Sequence, residues 1–215
     1  MTLKAVIFDL DGVLADTAHC HFAAWRRLAR SLGFELPESF HDRLKGIDRM
    51  QSLDLVLRHG GINADAPARA RLADEKNAYY RQSIAEMTAD DLLPGAAAAL
   101  AQVKAAGLPA ALASTSRNAP ELIESLGIAA KFDHVVDPAS LARQKPAPDI
   151  FLAAATALNV EPKHCLGVED SAAGITAIKD AGMYALGIGE AGALAQADRV
   201  LPSLAAFKLA EFQDL

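Results

Sequence analysis

Two acids, Asp9 and Asp11, stand two residues apart at the end of the apolar run Ala5-Val6-Ile7-Phe8, just ahead of Gly12. Side chains alternate along a strand, so residues two apart share a side. Carboxylates held that way repel each other unless a cation or a proton joins them. An ordinary Asp-Gly turn needs no second acid at the last strand position. Three more polar groups belong to the strand ends of the same layout. Ser114-Thr115-Ser116-Arg117-Asn118 comes directly after the run 109–113, Lys145 precedes Pro146, and Glu169-Asp170 follows the run 165–168. The proline holds Lys145 extended. Singly, each has an ordinary reading: a serine-rich turn with Asn118 as helix cap, a solvated lysine, and acids at a helix start. Jointly they make a set of carboxylates, one ammonium, and hydroxyl and N–H donors. Hard oxygen ligands suit Mg²⁺, which keeps waters and often meets a substrate phosphate. The ammonium and the donors suit the phosphate itself. An aspartate can carry a phosphoryl group as an aspartyl phosphate, and a second acid beside it can handle the proton.

These groups meet only if the runs that carry them are neighbouring strands opening on one edge. The runs 5–8, 109–113, 132–136, 165–168 and 183–188 read as short buried strands. Helical patterns at 96–106, 118–127, 148–158 and 171–181 alternate with them, which predicts a parallel sheet covered on both faces. Such sheets bind ligands beyond the carboxyl ends of their strands. From Asp16 to Met87 only helical patterns occur: a stripe of Phe22, Trp25, Leu28, Ala29 and Leu32 closed by Gly33, a helix over 50–59, and one over 67–87. That is too much chain for a loop. The expected fold is α/β: a Rossmann-like parallel-sheet core of residues 1–15 and 90–215, with an inserted all-helical cap domain of residues 16–89. Within the insert, Gly46 of Leu44-Lys45-Gly46-Ile47-Asp48-Arg49 admits a close ligand and Arg49 can fork onto a phosphate; the ordinary reading is a solvated basic pair beside a turn.

With 52% hydrophobic residues in 215, the chain can build a sizeable core. A net charge of −6 and the lack of a long basic run argue against a nucleic-acid surface. Cys20 and Cys165 are far apart and have no metal-ligand spacing. The N-terminal apolar run is too short for a signal peptide, and no stretch is long enough to span a bilayer. A cytoplasmic protein is expected.

The motifs Asp9-Leu10-Asp11-Gly12-Val13, the Ser/Thr pair 114–115, Lys145 and Glu169-Asp170 resemble, in order and spacing, the four motifs of the haloacid dehalogenase superfamily. Further residues are similar to one branch of it, the phosphomutases acting on β-D-glucose 1-phosphate. They are His21, Trp25, Leu44-Lys45-Gly46 with Arg49, Lys76-Asn77, Ala113-Ser114, Ser116 with Asn118, the run 145–151 and Glu169-Asp170-Ser171. The resemblance implies Asp9 as nucleophile and Asp11 as general acid and base. It implies Mg²⁺ held by Asp9, the Asp11 backbone carbonyl, Glu169 and Asp170. Ser114 and Lys145 would hold the transferring phosphate, and Arg49, Ser116, Arg117 and Asn118 the other phosphate of a bisphosphate. His21, Lys76 and the Lys45 turn would serve the cap and its closure, with Trp25, Gly46 and Thr115 also counted at the substrate site. The chain carries Asp48, Thr115 and Arg117 where that branch often has Ser, Ala and Lys. The implied activity is isomerisation of β-D-glucose 1-phosphate to glucose 6-phosphate through the 1,6-bisphosphate and an aspartyl phosphate. The alternatives are a sugar-phosphate phosphatase on the same fold and a non-enzymatic sugar-phosphate binder. The expected partner is a small sugar phosphate, with no nucleic acid, no membrane and a monomeric chain.

Overall fold

The computed structural model describes residues 2–44 and 49–214. The chain forms two compact units, one of Met1–Asp16 with Thr88–Leu215 and one of Thr17–Met87. The first unit contains six parallel strands: β1 (Ala5–Phe8), β2 (Ala110–Leu112), β3 (His134–Val135), β4 (Cys165–Glu169), β5 (Tyr184–Ile188) and β6 (Arg199–Leu201), in the order β3-β2-β1-β4-β5-β6. The chain starts in the middle, builds outward through β2 and β3, then returns to the other side of β1 with β4. That reversal between β1 and β4 is the position at which open α/β sheets leave a crevice for ligands.

The apolar run of β1 is buried on both faces because helices cover both. Ala5 and Ile7 pack with Ile150 and Phe151 of α7 (Asp149–Ala157) and Ile175 and Ile178 of α8 (Ala172–Asp180). Val6 and Phe8 are equally inaccessible, and the Phe8 ring meets Phe132 edge-on at 6.5 Å. Two more helices, α5 (Ala96–Ala105) and α6 (Ala119–Ser125), complete this unit. The expected strands at 5–8, 109–113, 165–168 and 183–188 are present within a residue or two. The expected strand 132–136 reduces to His134–Val135, because Phe132 closes a 3₁₀ turn. Sequence reading assigns nothing beyond Ile188 and so misses β6. Asp198 seats that strand: its carboxylate accepts the Ala185 N–H at 2.7 Å and pairs with Lys179 at 2.5 Å.

The second unit contains α1 (Ala18–Ser31), α2 (His41–Leu44), α3 (Arg49–His59) and α4 (Ala66–Ile84). The expected stripe on α1 is its core face. Phe22, Trp25, Leu28 and Ala29 are buried with Leu53, Val56 and Leu57 of α3 and Ala73 of α4, and Leu32 packs against them. The start of α4 is fixed by Asp65, whose carboxylate accepts the Ala68 N–H at 2.8 Å, with Pro67 in the first turn. Among the described residues no helix is long and apolar enough to cross a membrane.

Candidate active site

Asp9 lies one residue past β1, 6% exposed, with its N–H on the Val168 carbonyl. Lys145 reaches it from the segment between β3 and α7. The Lys145 Nζ donates to Asp9 Oδ1 at 2.7 Å and to Glu169 Oε2 at 2.8 Å, and lies 5.1 Å from the centre of the Phe151 ring. Its side chain is 6% exposed, so the solvated-lysine reading is wrong. Burial of the ammonium is balanced by two carboxylates rather than by water. Glu169 ends β4 and is 2% exposed; its Oε1 accepts from Ser171 Oγ at 2.6 Å and Ser171 N at 3.2 Å. Ser114 lies two residues past β2, where its Oγ donates to Asp11 Oδ2 at 3.4 Å. Asp170 lies over Gly12. A Cβ at position 12 would overlap its carboxylate, and φ there is +85°. Glycine at 12 therefore admits both the turn and the acid.

Among the described residues, Lys145 is the ammonium seen to pair within this group of four carboxylates. Burial, then the neighbouring Glu169 charge, hold the Asp9 carboxyl well above its usual range, against the pull of Lys145. Burial and the Asp170 charge raise Asp11 to about 6. Burial alone would lower the Lys145 amine, but Asp9 and Glu169 more than offset it and hold it protonated. Asp9, Glu169 and Asp170 each offer an oxygen, all within 4.8 Å of one another. Oxygen donors, excess negative charge and that spacing fit a hard divalent cation. Asp11 lies outside this carboxylate group; its expected contribution is a backbone carbonyl.

The loop after β2 uses its own hydroxyls first. Ser114 Oγ accepts the Ser116 N–H at 3.1 Å and Ser116 Oγ accepts the Asn118 N–H at 3.3 Å. Thr115 and Arg117 are exposed and Asn118 is buried. Asn118 sits at the head of α6, but its side chain does not cap the helix as expected. At α8 the cap is Ser171, not the acids Glu169 and Asp170.

The helical unit has a cluster of its own. Lys76 is 2% exposed, and its Nζ donates to His21 Nδ1 at 2.8 Å and lies 4.8 Å from the Trp25 ring and 5.0 Å from the Tyr80 ring. The His21 ring stacks on Tyr80 at 3.9 Å. Burial, then the Lys76 and Arg49 charges, push the His21 imidazole well below its usual value and keep it neutral. Arg49 opens α3, while Lys45, Gly46 and Asp48 fall outside the described residues. Sequence reading treats Tyr80 only as an apolar stripe residue. Its place one turn after Lys76 on α4 is the signal that could have joined them.

The sequence pattern of the haloacid dehalogenase-like hydrolases matches residues 3–182. A β-phosphoglucomutase of Bacillus subtilis (strain 168) is 45% identical over 204 residues, 93% of this chain and 89% of the relative. A crystal structure of a β-phosphoglucomutase from Clostridium difficile matches with a TM-score of 0.92 at 42% identity, covering 99% of this chain and 96% of that one. A phosphorylated carbohydrates phosphatase of Thermotoga maritima is 33% identical over 184 residues, 84% of this chain and 82% of the relative.

Proposed function

The chain belongs to the haloacid dehalogenase-like hydrolase family, and from that premise we propose that it is a phosphomutase converting β-D-glucose 1-phosphate to glucose 6-phosphate. The observation that carries this reading is the 45% identity to a β-phosphoglucomutase along 93% of the chain, helical unit included. The core acids are needed by a phosphatase and a mutase alike, so likeness confined to the core would not separate the two.

In this reading Asp9 is the nucleophile and Asp11 the proton handler. Phosphorylated Asp9 passes its phosphoryl group to the 6-hydroxyl of β-glucose 1-phosphate, and Asp11 takes the hydroxyl proton as the new O–P bond forms. The resulting 1,6-bisphosphate presents its C1 phosphoryl group to Asp9. As that P–O bond breaks, Asp11 returns a proton to the C1 oxygen and glucose 6-phosphate leaves. A carboxyl raised to about 6 suits an acid that must both take and give a proton near neutrality. Lys145 and Ser114 are assigned to the transferring phosphoryl oxygens. Arg49, Ser116, Arg117 and Asn118 are assigned to the second phosphate. His21, Trp25 and Lys76 are assigned to substrate binding in the helical unit, taken as a cap, together with Lys45, Gly46 and Thr115. Asp9, Glu169, Asp170 and the Asp11 carbonyl would hold Mg²⁺, which when bound neutralises charge on the phosphoryl oxygens. The reading includes a monomeric cytoplasmic enzyme, in keeping with two buried free cysteines.

The test supplies β-glucose 1-phosphate with a trace of the 1,6-bisphosphate and Mg²⁺, and compares glucose 6-phosphate formed with inorganic phosphate released. A mutase gives mainly glucose 6-phosphate. A chain that mainly releases phosphate from many small sugar phosphates is a phosphatase, and the proposal is then wrong.

A further inference from the structure

We infer that Ser171 and Gly174 are positioning residues of the active site: together they form the seat that holds the Glu169 carboxylate and, through it, the Lys145 amine. The inference rests on the metal and phosphate assignments above and adds to them the two residues that fix one of the acids. Ser171 is the cap of the nine-residue helix α8, and its Oγ accepts the Gly174 N–H at 3.1 Å. In a capping box the acid three residues after the cap reaches back to the cap's own N–H. Here that position is Gly174, and the reciprocal bond comes from the other side: Glu169 Oε1 accepts both Ser171 N–H and Ser171 O–H. The helix start therefore acts on an active-site acid instead of on a residue of its own. Glu169 can lie across this turn only because position 174 has no side chain. A Cβ there would overlap its Cγ, Cδ and Oε1. With Oε1 fixed by Ser171, Oε2 is aimed at Lys145 Nζ at 2.8 Å, and the same Nζ is bound to Asp9. The backbone at 174 is helical, so alanine would otherwise favour this helix. Glycine is kept against that preference for the room it leaves the acid.

The test titrates the full chain with Mn²⁺ alone, followed by its electron paramagnetic resonance signal, and melts the metal-free protein by calorimetry. Outer groups that orient metal-site acids affect affinity by about 10- to 100-fold. Ser171→Ala should weaken Mn²⁺ binding about tenfold and Gly174→Ala about a hundredfold. Ser171→Thr, which keeps the hydroxyl, should restore most of the affinity. The metal-free Gly174→Ala protein should melt below wild type, because the methyl overlaps the buried Glu169 carboxylate and outweighs the gain in helix propensity, so its Mn²⁺ affinity is read well below its own midpoint. In a Glu169→Gln background Ser171→Ala should change Mn²⁺ affinity less than about twofold, because two residues acting through one group are not additive. Unchanged affinity in both single variants, or an equal loss with and without Glu169, overturns the inference while leaving the metal assignment intact. A wild type that takes up no Mn²⁺ overturns the metal assignment and this inference with it.

Discussion

Replacing Lys145 by methionine keeps the stem and removes the charge. The three side chains of this bridge are almost wholly buried: Lys145 is 6% exposed, Asp9 8% and Glu169 2%. Removing one partner of a buried ion pair costs about 3–5 kcal/mol, because the remaining charge stays buried and unpaired. For a chain of this length each kcal/mol moves the midpoint by about 2–4 °C, so melting should fall by roughly 10 °C. The loss should depend on pH in a definite sense. Asp9 already sits above the usual carboxyl range from burial and the Glu169 charge, and without Lys145 it rises further. Its protonation then relieves the repulsion. The loss is therefore largest at pH 8 and shrinks as pH falls toward 5. Excess Mg²⁺ should return part of the stability at pH 8 by supplying the missing charge, without restoring turnover. The measurement is denaturation followed by far-UV circular dichroism in chelator, repeated across pH. The single tryptophan, Trp25, lies in the helical unit, so its fluorescence follows the other unit. A variant within about 1 kcal/mol of wild type at pH 8, or a loss that grows on acidification, would refute the account of Lys145 as the counter-charge of this site.

Two further outcomes follow from the same charges. Asp9→Asn should reduce turnover to background and leave no phosphorylated protein by mass spectrometry. Its metal-free form should melt at or above the wild-type temperature, since an amide removes one of the crowded acids; a label retained on the variant would refute the nucleophile assignment. The Mg²⁺-induced rise in melting temperature should be small near pH 4.5 and grow as pH rises through 6. The sign follows from the raised folded values of Asp9 and Asp11: their protonated forms stabilise the metal-free fold below the ordinary carboxyl range, and that contribution is lost as pH rises, for Asp11 through about 6 and for Asp9 through its own raised value. Moving Asp11 from its ordinary value to about 6 is on the scale of 3 kcal/mol. A Mg²⁺ effect that is greatest in acid would contradict this.

The meeting of Asp9, Ser114 and Glu169 was legible because each closely follows an apolar run and a parallel sheet puts all such ends on one edge; Lys145, ten residues past β3, was marked only by the proline after it. The helical insert was legible from the 3.6-residue stripe of Phe22, Trp25, Leu28 and Ala29, whose spacing survives in the packed core. Strand β6 was not, because three residues of Arg-Val-Leu carry no periodicity and Asp198 seats them through a side chain. Nor was the seat under Glu169. Gly174 looks like any small helix residue until the acid is seen lying across it. The same holds for Gly12, which reads as a turn glycine and also makes room for Asp170.

What separates the legible from the illegible here is register. Phe8 pairs with Val168, so one step further Asp9 comes level with Glu169 on the adjacent parallel strand. Neighbouring strands lie about 4.8 Å apart, and level residues on parallel strands face the same side. Two carboxylates are thus set beside each other by backbone hydrogen bonding, before any side chain adjusts. Neither can turn to water, because both faces of β1 and β4 are covered. A cation or a proton must then join them, and Lys145 does so from the adjoining segment, at 2.7 and 2.8 Å. Its burial is a consequence of the β1–β4 register, which no spacing within either strand reveals. A sequence that keeps this register and both acids needs a cation or a proton at this point. Shifting β1 by one residue against β4 would turn Asp9 to the opposite face and leave Glu169 and Lys145 as a simple pair.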